Sequence, residues 1–334
     1  MPQRLWRGGH RQTIAAFLSR RHRRLLRETT PDEEARYFQT EPDVQVLAHC
    51  RWQRARTAHP TLVLVHGLEG SSNSVYMLGT AAKAFAKGFN VVRLNMRNCG
   101  ATEHLTPTLY NSGLTHDLRF VLSELIERDK LSRDIFCAGF SMGGNVVLKL
   151  AGEYGDDAPP ALAGFCAVSP SLDLAACARR IEHPSNRLYQ SRFVRSLRRR
   201  MRYKHTLFPE TYDIKNLRRV RTVRDFDETF TAPHFGYADA SDYYARASAL
   251  RFIADIRLPT LILTAQDDPF VPFASFTNEA ISDNPHVHLL APPHGGHVGF
   301  IAAHAEPGGD RFWAEHRIVE FCRLINTNLD ADKS

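Results

Sequence analysis

The chain has 334 residues, of which 43% are hydrophobic and 24% charged, and it carries a formal net charge of +7. This composition excludes a largely disordered or fibrous protein, because there is ample apolar material for a core and the glycines and prolines show no period. No run approaches the ~18 consecutive apolar residues of a membrane-spanning helix, so such a helix is not expected. The length suits one large domain with insertions.

The basic residues concentrate in two segments. Residues 1–30 contain eight arginines and one acidic residue, and residues 171–225 contain fifteen basic and five acidic residues. Such segments can be solvated faces of helices, or they can attract anionic lipid head groups, phosphates or nucleic acid. The first segment also has the arginine-rich, acid-poor composition of an organelle transit peptide.

Six cysteines are scattered along the chain without CxxC spacing. Cys137 and Cys166 lie within apolar runs and are expected to be small core residues. A disulfide framework is not expected in a chain of this length, and the N-terminus lacks an apolar signal region followed by a cleavage site. We therefore expect a reducing compartment, the cytoplasm.

Six short apolar runs predict strands that are buried on both faces, as in a parallel sheet covered by helices. They are Thr61–His66, Asn90–Leu94, Asp134–Phe140, Gly164–Ser169, Thr260–Thr264 and Val287–Leu290. Helical patterns lie between or after them, over Val75–Lys87, Gly113–Lys130, Met142–Glu153, Phe273–Ile281 and Arg311–Asn326. This alternation predicts an α/β fold with a mostly parallel, doubly wound sheet.

The alternation is interrupted over residues 171–245, which contain many arginines and interleaved aromatic residues but no clear buried strand. We predict a helical cap over the carboxyl edge of the sheet, where open α/β sheets bind their ligands. The predicted division is therefore a core of residues 1–170 and 246–334, with a basic N-terminal extension over residues 1–40, and a cap or lid insertion of residues 171–245.

A G-x-S-x-G sequence at residues 139–143 follows a predicted strand directly and precedes a predicted helix. This is the context of a nucleophile elbow, in which a sharp turn forces the serine hydroxyl into the cleft. Ser141 is then the nucleophile, and the backbone N–H of Met142 is one donor to an oxyanion. The alternative is a serine that caps the helix, with glycines needed for packing.

A serine nucleophile needs a base and an orienting carboxylate, and in this fold the acid precedes the histidine. Two aspartates follow the strand Thr260–Thr264. We favour Asp268, because an acid followed by two residues and then Val-Pro is the usual form of this loop. Asp267 remains the alternative, and the aspartate that is not used is expected to bind backbone N–H groups of the turn.

The predicted base is His297, which follows two glycines on the loop after the last predicted strand. His294 is interpreted as a solvent-facing loop residue or as a supporting group. A zinc site made of these two histidines lacks a third ligand at a suitable spacing, so no metal is expected.

A second oxyanion donor is expected on the loop after the strand Thr61–His66. The His66–Gly67 turn favours the backbone N–H of Leu68 for this role. A glycine-rich turn that caps the next helix through Ser72 or Ser74 is compatible with it. Neither a Walker motif nor a dinucleotide-binding glycine pattern occurs, so no cofactor is expected.

Four segments together resemble the YheT-type bacterial esterases of the α/β-hydrolase superfamily, which are related to ABHD-type hydrolases of acylglycerols and phospholipids. The segments are HGLEGSSNSVY from residue 66, GFSMGGN from residue 139, FDETFTAPHFGYADASDYY from residue 226 and AQDDPFVP from residue 265. The resemblance extends from about residue 7 to about residue 326. It implies an α/β-hydrolase fold and places the family's serine, aspartate and histidine on Ser141, Asp268 and His297.

The family's N-terminal HxQT element is matched by residues 10–13, which implies that the early basic segment belongs to the folded domain and is not a transit peptide. One departure occurs at residues 97–100, where Arg-Asn-Cys-Gly stands in place of the more usual Arg-Gly-Cys. The resemblance therefore does not predict the conformation of this turn, but no expected catalytic position lies within it.

We therefore predict a serine hydrolase that cleaves carboxylic esters, with short, medium or lipid-like acyl chains, through an acyl-enzyme and without a cofactor. An acyltransferase on the same fold and a catalytically silent binding or scaffold protein are the alternatives. The expected partner is a small-molecule ester or lipid. Nucleic acid is disfavoured because no recognition module accompanies the basic charge. The sequence does not indicate the oligomeric state.

The second basic segment contains Phe193, Leu197 and Met201, which recur every four residues among arginines. Placed on a helix, they form one apolar stripe, which is typical of a lid or of a helix that contacts an anionic membrane surface. The alternative is an ordinary helix that packs this stripe against the body of the protein. Peripheral membrane contact is thus one of two hypotheses for this segment.

Overall fold

The computed structural model describes residues 7–29, 32–131, 134–306 and 309–332. Within these residues, eight strands form one sheet in the order β1-β2-β4-β3-β5-β6-β7-β8. The strands are β1 Glu34–Glu41, β2 Val44–Arg51, β3 Thr61–Val65, β4 Asn90–Leu94, β5 Ile135–Phe140, β6 Leu162–Val168, β7 Thr260–Leu263 and β8 Val287–Leu290.

Strands β3 to β8 pair in parallel, and they are the six strands that the apolar runs predict, with ends that differ by one or two residues. Strands β1 and β2 are antiparallel to each other, and β2 is antiparallel to β4. This hairpin was not predicted. In β1 only two residues, Phe38 and Thr40, are buried, so the strand lacks the continuous apolar run of its parallel neighbours.

Twelve α-helices are present in the described residues. They are α1 Gly9–Phe17, α2 His22–Thr29, α3 Val75–Ala86, α4 His116–Glu127, α5 Met142–Tyr154, α6 Leu174–Glu182, α7 Arg187–Leu207, α8 Val223–Phe226, α9 Ala232–His234, α10 Ala240–Ala247, α11 Glu279–Ser282 and α12 Trp313–Asp332. A π-helical turn, Asp227–Thr231, joins α8 to α9. Short 3₁₀ helices occur at Arg56–Ala58, Glu103–Leu105, Gly155–Asp157, Pro184–Asn186, Lys215–Arg219, Ala249–Asp255 and Phe273–Phe276.

The core lies on both faces of the sheet. Helices α4 and α5 pack with alternate strand residues such as Ile135 and Cys137 on one face. Helices α3 and α12 pack with the intervening residues, such as Phe136 and Ala138, on the other face. Because both sets of side chains are buried, the sequence of the strand is continuously apolar. The fold is α/β and doubly wound, as predicted.

The helix predicted over Arg311–Asn326 extends to Asp332, the one predicted over Gly113–Lys130 is shorter at both ends, and a third is divided in two. The segment Phe273–Ile281 was expected to be a single helix, but it forms a 3₁₀ turn, Phe273–Phe276, followed by the short helix α11. Asn278 separates them in extended geometry, and its side chain accepts a hydrogen bond from the N–H of Ala280. An asparagine in this capping position starts a new helix and does not continue the preceding one.

The predicted cap region, residues 171–245, contains α6 to α9 and no strand, and its predicted end lies within α10, which continues to Ala247. Its apolar side chains form clusters of their own, including Leu197, Met201, Tyr212 and Phe226. These clusters fit a unit with a separate small core, and the division of the chain into core and cap stays a prediction. In α7, Leu197 and Met201 are buried, so the predicted apolar stripe packs largely against the protein.

The N-terminal basic segment packs on the body of the protein where the structure describes it; residues 1–6, 30 and 31 of the predicted extension lie outside the described residues. Arg21, in the turn before α2, donates to the carboxylate of Glu315 on α12 at 2.9 Å, and its guanidinium lies 3.1 Å from the centroid of the Phe312 ring. These contacts tie the segment to the helices that cover the sheet.

The unusual Arg-Asn-Cys-Gly turn is accommodated by its asparagine. Asn98 has a φ of 63°, in the left-handed region that asparagine tolerates better than most residues with a Cβ. Its side-chain amide donates to the carbonyl of Thr108 at 2.7 Å. Arg97 is buried and forms two 2.7 Å hydrogen bonds to the carboxylate of Asp117. The turn therefore has an asparagine in left-handed geometry at the position where the resemblance led us to expect glycine.

Candidate active site

Ser141 occupies the sharp turn between β5 and α5, with φ 54° and ψ −117°. This left-handed geometry is strained for a residue with a side chain, and such strain concentrates at functional sites. The neighbouring glycines allow the turn: a Cβ on Gly139 would lie 2.1 Å from the carbonyl oxygen of Gly143, and one on Gly143 would lie 2.4 Å from that of His66. The glycines thus let α5 approach β3 closely.

The structure brings Ser141, His297 and Asp268 together as a hydrogen-bonded chain. Nε2 of His297 lies 2.9 Å from Oγ of Ser141, and Nδ1 of His297 lies 2.9 Å from Oδ2 of Asp268. The three residues come from the ends of β5, β7 and β8 at the carboxyl edge of the sheet. In this geometry the imidazole can take the serine proton while the carboxylate orients the ring.

Asp268 is held in place by the backbone of its own loop. Its Oδ1 atom accepts hydrogen bonds from the N–H groups of Phe270 at 2.8 Å and Val271 at 3.1 Å. The side chain is fully buried, so these donors and His297 replace the water that an ionised carboxylate requires. The loop therefore presents a fixed carboxylate to the imidazole.

Asp267 has a different set of partners. Its Oδ1 atom accepts the N–H groups of Gly295 and Gly296, each at 2.9 Å, and its Oδ2 atom lies 3.0 Å from Nδ1 of His294. This carboxylate therefore shapes the loop that carries His297. His294 belongs to the same loop contact, which corresponds to the supporting role considered from the sequence.

The N-terminal HxQT element also contacts the histidine loop. Thr13 Oγ1 accepts the N–H of His297 at 2.8 Å and donates to the carbonyl of Gly9 at 2.7 Å. The buried amide of Gln12 accepts the N–H of Ile301 at 2.8 Å and donates to the carbonyl of the same residue at 3.2 Å. Helix α1 thus holds the loop at two points, His297 and Ile301, a role that sequence reasoning did not assign.

The two residues predicted to supply the oxyanion donors both lie beside the cavity that Ser141 lines. Met142 is the first residue of α5, where N–H groups have no acceptor within the helix, and Leu68 lies on the loop after β3. Both residues line one cavity together with Ser141 and His297. The N–H of Gly67 is already bound to the hydroxyl of Tyr76 at 3.0 Å, which leaves Leu68 as the donor candidate on this loop.

Glu69 connects this loop to the cap region. Its carboxylate accepts hydrogen bonds from Arg200 Nε and from the hydroxyl of Tyr110, both at 2.8 Å, and from the hydroxyl of Ser196. Burial alone would raise the pKa of Glu69, but the Arg200 guanidinium and the hydroxyl donors hold it below its usual value. Arg200 is itself mostly buried, unlike the exposed arginines of α7.

His66 is not a rival base. Its Nε2 atom accepts the N–H of Met96 at 3.1 Å, and its Nδ1 atom lies 2.8 Å from the carbonyl oxygen of Gly67. Burial lowers the pKa of His66 to about 4, so the ring is neutral near pH 7. It serves to hold the turn that carries Leu68.

The cavity beside Ser141 has a predominantly apolar wall that is supplied mainly by the cap region. Its apolar lining residues include Leu68, Leu109, Leu174, Ile181, Phe193, Leu197, Val223, Phe226, Phe270 and Val271. Its polar lining residues include Arg200, Asp227, Thr231, Tyr243 and Tyr244. A mostly apolar pocket with few polar groups is typical of small-molecule sites. Among the described residues there is no group of three or more His, Cys, Asp or Glu side chains placed to hold a metal ion.

Comparison with known proteins agrees with this architecture. Residues 60–303 match the family model described as the alpha/beta hydrolase fold. The chain belongs to the α/β-hydrolase family. The Escherichia coli K12 protein that carries the name "Putative esterase YheT" is 35% identical over 278 residues, which cover 81% of this chain and 78% of that protein. The predicted similarity to YheT-type proteins is therefore confirmed.

Two eukaryotic proteins are similar over a comparable stretch. The monoacylglycerol lipase of Saccharomyces cerevisiae is 34% identical over 80% of this chain, and the phospholipase ABHD3 of Mus musculus is 31% identical over 73% of it. In both cases the match spans only 59% of the relative's own length.

Solved structures show the same fold at low sequence identity. The Pyrococcus furiosus esterase Pf2001 superposes with a TM-score of 0.60 at 17% identity, covering 90% of this chain and 92% of that one. The 2,6-dihydroxy-pseudo-oxynicotine hydrolase gives a TM-score of 0.56 at 16% identity, covering 95% and 71%.

Proposed function

We propose that the protein is a serine hydrolase that cleaves carboxylic esters. The observation that carries this proposal is the continuous hydrogen-bonded chain from Ser141 through His297 to Asp268, with Ser141 and His297 lining an apolar cavity. Membership of the α/β-hydrolase family and the names of its esterase and lipase relatives support the same reaction class.

In the proposed mechanism, Ser141 Oγ attacks the ester carbonyl carbon as His297 Nε2 takes its proton. Asp268 stabilises the resulting imidazolium, and the N–H groups of Met142 and Leu68 bind the oxyanion. The C–O bond to the alcohol then breaks, and the imidazolium gives its proton to the departing alcohol. Water, deprotonated by His297, attacks the acyl-enzyme and releases the carboxylic acid with return of the proton to Ser141.

We propose a small ester or a lipid with a short or medium acyl chain as the substrate class. The apolar side chains of Phe193, Leu197 and Phe226 can cover a hydrocarbon chain beside the nucleophile. The relatives named as a lipase and a phospholipase point in the same direction. This chain spans only 59% of the length of those two relatives, so a lipid substrate is a proposal for this chain.

We also propose that residues 171–245 act as a cap over a core of residues 1–170 and 246–334, because they supply much of the cavity wall. All six cysteines are buried free thiols, which supports a reducing compartment such as the cytoplasm. In this arrangement the cap determines which acyl chains fit, whereas the core carries the chemistry.

The test is hydrolysis of p-nitrophenyl esters from acetate to palmitate by the wild type and by Ser141→Ala. We expect the variant to lose about 10³-fold or more in kcat while its circular dichroism spectrum and melting temperature are retained. An alcohol acceptor added to the assay measures acyl transfer, and we expect hydrolysis to exceed it. Activity of the variant within tenfold of the wild type would exclude Ser141 as the nucleophile.

A further inference from the structure

Asp227 is a carboxylate that the proposed reaction does not use, although it lines the same cavity as Ser141. It is the first residue of the π-helical turn Asp227–Thr231 in the cap region. Turns of this kind are rare and frequently occur at functional sites. The residue is half-buried, and since it lines the cavity, the cavity gives access to its carboxylate.

The partners of Asp227 satisfy only part of its hydrogen-bonding capacity. The hydroxyl of Tyr244 donates to Oδ2 at 2.7 Å, and that of Thr231 donates to Oδ1 at 2.8 Å. A carboxylate offers about four acceptor positions, so each oxygen can accept one more donor. Both hydroxyl-bearing residues also line the cavity, which makes this corner a polar spot in a largely apolar wall.

No basic side chain of the described residues forms an ion pair with Asp227. The nearby Arg224 donates instead to the hydroxyl of Ser241 at 2.8 Å. Burial raises the pKa of Asp227 to about 6, against the opposing effect of the Tyr244 and Thr231 hydroxyls and of Arg224. The group is therefore mostly ionised near pH 7. A half-buried carboxylate with neither an ion-pair partner among the described residues nor a full set of donors is unfavourable, and a ligand donor would relieve that cost.

We propose that Asp227, together with Tyr244 and Thr231, forms a subsite that binds a free hydroxyl group of the ester substrate. The hydroxyl donates to the carboxylate from within the cavity while the ester carbonyl lies at Ser141. The subsite selects hydroxylated esters over esters that carry a methyl group at the same place, because the latter leave the carboxylate without its donor. This inference rests on the proposed ester hydrolysis.

The charges around the cavity favour a neutral hydroxyl over a charged group. Arg200 is neutralised by Glu69, whereas Arg224 on α8 lies near Asp227 and its positive charge would repel a cationic head group. An anionic group would meet the carboxylate itself. A hydroxyl supplies the missing donor without either repulsion.

The experiment compares pairs of esters that differ only in a hydroxyl or a methyl group. One pair, 2-hydroxyethyl butyrate and propyl butyrate, places the difference on the alcohol side. The other pair, ethyl 3-hydroxybutyrate and ethyl 3-methylbutyrate, places it on the acyl side. We expect kcat/KM of the wild type to be about tenfold or more higher for the hydroxylated member of one pair. The pair that shows this difference identifies whether the subsite binds a hydroxyl on the alcohol part or on the acyl part of the ester.

The variants Asp227→Asn and Asp227→Ser test the assignment, and Glu228→Gln, at the adjacent exposed carboxylate, is the matched control. We expect both Asp227 variants to bring the ratio of kcat/KM within the pair to about threefold or less, whereas the control keeps the wild-type ratio. The ratio is taken within each variant, so a general loss of activity cancels. Two substitutions are used so that a folding failure of one, detected by circular dichroism, leaves the other.

The wild-type ratio tests the inference even if neither variant folds. Equal kcat/KM for both members of both pairs would overturn it, as would an unchanged ratio in a folded Asp227 variant, which would assign Asp227 a purely structural role. Absence of hydrolysis of all four esters and of the p-nitrophenyl series by the wild type would instead contradict the proposed function. The two failures are therefore distinguishable.

Discussion

Two adjacent aspartates in the candidate site have different hydrogen-bond partners. Asp268 contacts the imidazole of His297, whereas Asp267 binds the backbone of the loop that carries it. We expect Asp268→Asn to lower kcat by about 10³-fold or more, because an amide cannot stabilise the imidazolium and favours the wrong tautomer. Asp267→Asn should be milder, since it retains an oxygen that accepts the loop N–H groups.

The measurement is kcat for a p-nitrophenyl ester, with melting temperatures as the check on folding. The Asp267→Asn variant serves as the matched control for a lost charge at the neighbouring position. A larger decrease in kcat for Asp267→Asn than for Asp268→Asn would indicate that Asp267, and not Asp268, is the acid that orients His297.

The sequence could place a residue in the candidate site where its position depends on local order along the chain. Ser141 lies between a strand and a helix, and His297 follows the last strand, so both positions could be recognised from the elements that flank them. The contacts of Glu69 with Arg200, and of Thr13 with His297, join residues far apart in sequence. No local pattern encodes such pairs, which is why the sequence indicated neither.

At the scale of elements, the parallel strands and the antiparallel hairpin show what hydrophobic patterning can predict. Strand β5 is buried along its whole length because helices cover both faces, and its apolar run is therefore continuous. Strand β1 lies at the edge of the sheet with most of its side chains exposed or half-buried. Its place depends on pairing with β2, and polar edge strands carry little hydrophobic signal.

The contact between helix α1 and the histidine loop can be tested by mutation, because Thr13 binds the backbone N–H of the catalytic candidate His297. We expect Thr13→Val to lower kcat by roughly 10- to 100-fold with little change in KM, since a small displacement of the imidazole impairs proton transfer more than substrate binding. Thr13→Ser keeps the hydroxyl and should restore kcat.

Steady-state kinetics of both variants, with melting temperatures, checks this positioning role. A kcat of Thr13→Val equal to that of the wild type would contradict it. Equal losses in Thr13→Val and Thr13→Ser would also contradict it, because the hydroxyl would then not be the responsible group.

At the scale of the whole molecule, α7 has two distinct faces. Leu197, Met201 and Lys204 are buried, and the exposed face carries arginines at three- and four-residue spacing. The exposed residues of that face are Leu188, Arg192, Arg195, Arg199, Arg202 and Tyr203. Because the apolar stripe is largely buried, only this basic face of α7 is available to contact lipid under the membrane hypothesis.

Helix α1 extends the basic face with apolar side chains. The guanidinium of Arg192 lies 4.0 Å from the centroid of the Phe17 ring, which is 58% exposed, and the neighbouring Leu18 is 67% exposed. Exposed apolar groups beside unpaired arginines are typical of surfaces that lie on anionic membranes. No helix within the described ranges is long and apolar enough to cross a membrane.

We expect the protein to co-sediment with vesicles that contain anionic lipid but not with neutral vesicles, and rising salt should weaken binding through screening. Charge reversal at Arg195, Arg199 and Arg202 should abolish co-sedimentation while hydrolysis of a small ester is retained. Arg200 is left unchanged in this variant because it is bound to Glu69. Equal sedimentation with neutral vesicles, or none with either, would contradict electrostatic docking.

The central claim, that Ser141 carries the acyl group during ester hydrolysis, is tested most directly by trapping that intermediate. The wild type and Ser141→Ala are mixed with excess p-nitrophenyl butyrate, quenched in acid within milliseconds, digested and analysed by mass spectrometry. The account predicts a butyryl adduct on the peptide that contains Ser141 in the wild type, and neither adduct nor turnover in the variant. A butyryl group on another residue, or undiminished turnover by Ser141→Ala, would contradict it.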